Sequence, residues 1–334
     1  MPHFLPVIVT PTARLTSRRA LYYTEGADPV LDRPAFIRGG SSLAWIGGRI
    51  ALVQDDANFL ALIDPRTGGA IGLTLPSGKG GFRQFDDLRG NKKHRMDLEA
   101  CVAVERDGRT ILMAFGSGSS RKRDSVLIVE GFEAALPLVT LVEAAPFYRS
   151  LRAATDFCGS GLNLEGALQS GDRLRLFSRG NGAPAEGLLP VNAACSVDLE
   201  ELIGHLLHPD SVDPPRLTDI ARYELGDLGG VPLGFTDAMR WENGVLYTAA
   251  AEASPDAIRD GPVFGSSIGT IEADGSTRWA PITDALGEIV PAKAEGLVAD
   301  PDSSSRLYVV LDADDPAAPS ELCTVEIAGF GRQH

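Results

Sequence analysis

The chain has 334 residues, 44% of them apolar, enough for a large buried core, and no stretch approaches the roughly 20 consecutive apolar residues of a membrane-spanning helix. A net charge of −14 excludes the electrostatic footprint of a protein that binds duplex nucleic acid or an anionic membrane. The 22 Pro and 37 Gly recur along the whole chain, which predicts many short strands and turns and few helices.

The N-terminal stretch MPHFLPVIVTPTARL has no basic segment before its short apolar run, and Pro6 interrupts that run, so the reading is a cytoplasmic protein. From Ser41 the segment SSLAWIGGRIALVQDDAN predicts a β-hairpin, with FLALIDPRTG and AIGLTLP as further strands. The basic loop GNKKHRM follows, carrying His94 and Arg95. A second hairpin, DLEACVAVERDGRTILMAFGSGSS, starts at Asp97 and is followed by SVLIVEGF and LVTLVEA. APFYRSLRAATD predicts a short helix.

A third hairpin, NLEGALQSGDRLRLFSRGN, starts at Asn163 and turns at Ser170-Gly171-Asp172. SVDLEELIGHLLHP predicts a helix, with Ser196 or Asp198 as N-cap and an apolar stripe through Leu199, Leu202, Ile203 and Leu206. His205 and His208 on it read as surface residues. FTDAMRWENGVLYTAAAEAS from Phe235 and KAEGLVADPDSSSRLYVVLDADDP from Lys293 supply the fourth and fifth hairpins.

Each of the five segments has a polar residue, a small or apolar strand, a turn and a longer strand with a polar end. Aligned, the polar positions are Ser42, Glu99, Glu165, Asp237 and Glu295, at separations of 57, 66, 72 and 58 residues. Repeats of this kind predict an all-β fold, a β-propeller forming one domain over residues 1–334. Five blades are expected, with a sixth from the first 40 residues as the alternative. The last repeat has three strands, so a strand from VIVTPTARL or RALYYTEG should complete its blade.

In a propeller the first strand of every blade lines the axis. Glu99, Glu165, Asp237 and Glu295 would then converge at one mouth, where like charges raise one another's pKa and a hard cation relieves the repulsion. Oxygen ligands without His or Cys in register point to calcium. The second strands end at the same mouth. There Asp55 or Asp56 would orient water, Arg121 and Arg179 would clamp an anion beside Arg95, and His94 is the one histidine placed to act as a base. Cys101, Cys158, Cys195 and Cys323 are far apart, which argues against zinc. No nucleophile elbow, P-loop or dinucleotide fingerprint occurs.

The ordered set GGSSLAW…ALVQDD, MDLEACVAV, LNLEGAL, FTDAMRWENGVLYTAAAE and AKAEGLVA…LYVVLDADD resembles the phytase-like family named for esterase-like activity, over about residues 39 to 320. That resemblance implies a propeller and an ester- or phosphoester-directed activity. In this chain Ala100 follows Glu99 where the family has Gly, and no export signal is seen. The expected function is a calcium-dependent hydrolase of phosphoesters, esters or lactones. The alternative is a non-catalytic propeller that binds a small molecule or protein, with an ion or water in its channel.

Overall fold

The computed structural model describes residues 10–134, 136–242, 244–253 and 261–330. His3 and His334 lie outside them. Two strands lead in, β1 (Thr12–Ala20) and the short β2 (Tyr22–Tyr23). The first repeat forms β3 (Gly40–Ile46), β4 (Arg49–Gln54), β5 (Phe59–Ile63) and β6 (Gly69–Thr74). The second forms β7 (Leu98–Arg106), β8 (Arg109–Gly116), β9 (Ser125–Glu130) and β10 (Leu138–Glu143), followed by helices α1 (Ala145–Ala153) and α2 (Thr155–Cys158). The third forms β11 (Leu164–Ser170), β12 (Arg173–Ser178), β13 (Asn192–Asp198) and β14 (Thr218–Tyr223), with α3 (Leu199–Leu207) inserted. After the short β15 (Asp227–Leu228), the fourth forms β16 (Val231–Trp241), β17 (Gly244–Glu252), β18 (Val263–Ile271) and β19 (Thr277–Thr283). The last supplies β20 (Lys293–Ala299), β21 (Arg306–Asp312) and β22 (Glu321–Ala328).

Within each repeat consecutive strands pair antiparallel. β1 pairs antiparallel with β22 and so completes the last unit, as expected of a closure across the termini. It also touches β19 in parallel at Ala13 and Arg14, which joins the fourth and fifth units into one nine-stranded sheet. β2 adds to the outer edge of the first unit. The inner strands contact one another in a ring: β3 with β7, β7 with β11, β11 with β16, β16 with β20, and β20 back onto β3. The fold is a β-propeller whose apolar cores fill the spaces between neighbouring units.

Every inner strand carries a register shift at the same place, between Gly40 and Leu43, Leu98 and Ala100, Leu164 and Gly166, Phe235 and Asp237, and Ala294 and Gly296. A β-bulge leaves one residue without a cross-strand partner and re-aims its side chain. The bulged residues are Glu99, Glu165, Thr236 and Glu295, with Ser41 in the corresponding place. The glycines after two of them allow close packing: a Cβ on Gly296 would sit 2.6 Å from the Ser41 carbonyl, and one on Gly166 3.0 Å from the Ala238 nitrogen.

The predicted helices form. Asp198 caps α3 by accepting the Glu201 N–H at 2.9 Å, and the apolar stripe of α3 is buried in the same core as Phe147, Tyr148 and Leu151 of α1. His205 is a correction: it is 1% exposed, with Nδ1 2.6 Å from the Val212 carbonyl. The four cysteines are free and buried. Among the described residues no helix is long and apolar enough to cross a membrane.

Candidate active site

The inner bulges and the ends of the second strands open onto one cavity of about 310 Å³. Glu99, Glu165 and Glu295 enter from the bulges, Asp55 and Asp56 from the end of β4, Arg179 from the end of β12 and Glu252 from the end of β17. The segment between β6 and β7 adds Asp86, Arg95 and Asp97, the end of β21 adds Asp312, and the segment after it adds Asp314. Carboxylates outnumber cationic groups in this lining, so the interior carries a negative field.

Asp55, Asp97 and Glu99 each offer a carboxylate oxygen, all within 4.8 Å of one another. Arg95 bridges Asp55 and Asp97. Asp97 also accepts from Ser117 and pairs with Arg123 at 2.9 Å. Glu99 has no hydrogen-bond or ion-pair partner among the described residues. Burial pushes the Glu99 carboxyl well above its usual range, and the Asp97 and Asp55 charges push it further. Burial likewise raises Asp55, against the pull of Arg95. Oxygen donors alone, with one carboxylate lacking a partner, fit a hard divalent cation.

A second group lies on the other side. Arg179 pairs with Glu252 at 3.0 Å and Glu165 at 3.4 Å, and its stem packs where a side chain on Gly234 would stand. Asn163 donates to Glu165 at 2.6 Å. Lys293 pairs with Glu295 at 2.6 Å and lies 3.7 Å from both Glu252 and Asp314. Burial raises Glu165 to about 8, Arg179 opposing, and also raises Glu295, with Lys293 opposing. Burial alone would lower Lys293; the Glu295 and Asp314 carboxylates outweigh it and hold the ammonium charged.

A third group anchors the rim. Arg38 grips Asp56 at 2.5 Å and Asp86 at 3.1 Å. Burial lifts Asp56 to about 6, while Arg38 pulls it down. Gly39, at φ +56°, runs so close beneath that a Cβ there would meet Asp55 Oδ1 at 2.2 Å and Asp56 Oδ1 at 2.4 Å. Only glycine suits both the conformation and the space.

The structure therefore brings Asp55, Asp56, Glu99, Glu165, Arg179 and Glu295 together and places three expected site residues elsewhere. Asp237 is one residue past the bulge, buried, and does not line the cavity. Its carboxylate accepts N–H groups of Ala238 at 2.8 Å, Leu297 at 3.0 Å and Leu43 at 3.5 Å, and the Ser42 hydroxyl at 3.2 Å. It ties three inner strands together. Ser42 in turn accepts the Cys101 N–H at 3.0 Å. Arg121 is exposed on a 3₁₀ turn, and Arg123 from that turn reaches the cavity instead. His94 does not line the cavity; slight burial and the charges of Lys79, Lys93 and Lys122 lower its pKa.

Arg38, Arg123 and Lys293 were not expected at the site. Lys293 had a signal, because it stands two residues before Glu295 on the same strand. Arg38 had one in the Gly39-Gly40 pair that follows it. Arg123 differs from Arg121 only by position in a turn.

The chain belongs to the family described as "Family of unknown function (DUF6929)", whose model matches residues 37–327. No curated protein sequence matches it. Among solved structures, a glutaminyl cyclase of Myxococcus xanthus is similar at 9% identity and a TM-score of 0.46, over 96% of this chain and 99% of that one. An endo-1,5-α-L-arabinanase of Thermotoga petrophila RKU-1 is similar at 9% identity and 0.47, over 89% and 74%. A calcium-binding protein, regucalcin, of Agrobacterium tumefaciens is similar at 10% identity and 0.42, over 96% of each chain.

Proposed function

We propose that this family member is a hydrolase of small uncharged esters or lactones that holds a calcium-type cation at Asp55, Asp97 and Glu99. The observation that carries the reading is the Glu99 carboxylate, which has no partner among the described residues and lies within 4.8 Å of two further carboxylates. Bound there, a divalent cation would polarise an acyl oxygen and lower the pKa of a nearby water. The resemblance of the ordered strand motifs to the phytase-like, esterase-like family supports an ester-directed activity.

The chain's own residues narrow the substrate. Arg38, Arg95, Arg123 and Arg179 are each committed to at least one carboxylate. A phosphoester would have to displace those pairs and enter a field of excess negative charge, so an uncharged ester or lactone suits the cavity better than an anion. Asp56, which burial lifts to about 6 against the pull of Arg38, suits a general base. Arg95 and Gly39 hold Asp55 in place.

The test is calcium titration by calorimetry with the wild type and Glu99→Gln, followed by a screen of alkyl esters, lactones and phosphomonoesters. Calcium-dependent turnover of esters or lactones, lost in Glu99→Gln, supports the reading. Turnover of phosphomonoesters alone overturns the substrate assignment. Saturable calcium binding without hydrolysis of any class would favour the non-catalytic alternative, in which the ion braces the mouth.

A further inference from the structure

Asn163 Nδ2 and Arg179 Nη1 both donate to the same oxygen of Glu165, Oε1, at 2.6 and 3.4 Å. Among the described residues no hydrogen bond reaches Oε2, although the side chain is only 6% exposed and lines the cavity. The cations near it are shared: Arg179 also holds Glu252, and Lys293 is drawn to Glu295. The Glu295 carboxylate is itself a neighbour that disfavours charge on Glu165, and its Oε2 is buried without a hydrogen-bond partner among the described residues. A buried carboxylate flanked by others, with its cation divided, gains by taking up a proton, and the free oxygen is the place for it.

We propose that Glu165 is the general acid of the reaction, with its proton on Oε2, and not a metal ligand. This rests on the ester or lactone reading. Two donors on Oε1 fix the carboxyl plane and leave Oε2 to the substrate. Water forms the new bond to the acyl carbon and gives one proton to solvent. The bond from the acyl carbon to the alkoxy oxygen breaks, and that oxygen takes the proton from Glu165 Oε2. Glu165 then regains a proton from solvent and returns to its starting state. The charged groups facing Glu165 are Arg179 on the end of β12, Lys293 and Glu295 on β20, and Glu99 on β7. The un-ionised state at neutral pH accords with the upward shift of its carboxyl to about 8.

Two measurements test this. The first is the infrared spectrum at pH 7, with and without calcium, of the wild type and Glu165→Gln. The difference between them should contain the carbonyl stretch of an un-ionised carboxylic acid, and the band should survive calcium. No such band, or one abolished by calcium, overturns the proposal. The second is a leaving-group comparison. Glu165→Gln should slow hydrolysis of alkyl esters by about 100-fold or more, and that of p-nitrophenyl esters by less than about tenfold, because nitrophenolate departs without a proton. Equal losses on both overturn the role. Calcium calorimetry on Glu165→Gln separates the two levels: unchanged affinity fits a proton donor, and lost affinity makes Glu165 a ligand. If the wild type binds no calcium and hydrolyses no ester, the parent reading falls and the catalytic role with it, while the infrared band still decides where the proton sits.

Discussion

Replacing Asp237 separates a structural carboxylate from a metal ligand. Asp237→Ala removes the acceptor of three backbone N–H groups and the Ser42 hydroxyl, all buried at the axis. The Ala238 and Leu297 bonds, at 2.8 and 3.0 Å, are the strong ones. A buried donor left without an acceptor costs about 1–3 kcal/mol, so these two alone cost roughly 2–6 kcal/mol. Relief of the buried charge offsets part of this, and the expected loss is about 4 kcal/mol. Unfolding entropy of about 2.1 cal/mol/K per residue, over 334 residues, converts that loss to a melting temperature lower by about 6 °C. Asp237→Asn, which keeps one acceptor oxygen, should lose about half as much. Scanning calorimetry measures the shift, and calcium titration of Asp237→Asn should give the wild-type stoichiometry. A variant that melts with the wild type and has lost calcium binding would refute the reasoning and return Asp237 to the metal.

Other changes follow from the same geometry. In the folded chain Glu165 titrates at about 8 and Asp56 at about 6, above an unfolded value of about 4, so their contribution to stability is full below that value and is lost as pH rises through 6 to 8. Calcium-free protein should therefore melt lower at pH 8 than at pH 5, and Glu165→Gln should flatten the upper part of that curve. Arg179→Met leaves Glu165 and Glu252 without their guanidinium and should cost about 3–5 kcal/mol, while Arg121→Ala should leave the melting temperature within about 1 °C. Gly39→Ala must hold a left-handed backbone and displace Asp55 and Asp56, so it should cost about 3 kcal/mol and weaken calcium binding at least tenfold in titration.

The repeat of acid, small residue and hairpin was legible because each E-G or E-A pair marks a bulge, and the two E-G pairs also mark a close backbone approach. That pattern led to Glu99, Glu165 and Glu295, which stand at bulges and line the cavity, and it located the closing strand. In the fourth repeat the aligned acid was Asp237, whereas the bulged residue is Thr236. Charge matched; register did not, and a ladder partner leaves no trace in a single sequence. Arg121 and Arg123 likewise differ only in which side of a 3₁₀ turn they occupy. The saturation of Arg179 was hidden for another reason: Glu252 lies 73 residues away and meets it only after two units have closed on the axis.

The central claim, a cation site at Asp55, Asp97 and Glu99, is tested most directly by metal analysis of protein purified without chelator, with melting curves before and after EGTA. The account predicts about one calcium per chain and, at calcium 100-fold above its dissociation constant, a stabilisation of about 2.7 kcal/mol, or about 4 °C for a chain of 334 residues. Glu99→Gln should abolish that shift. No bound metal, and melting curves that coincide with calcium and with EGTA, would contradict it.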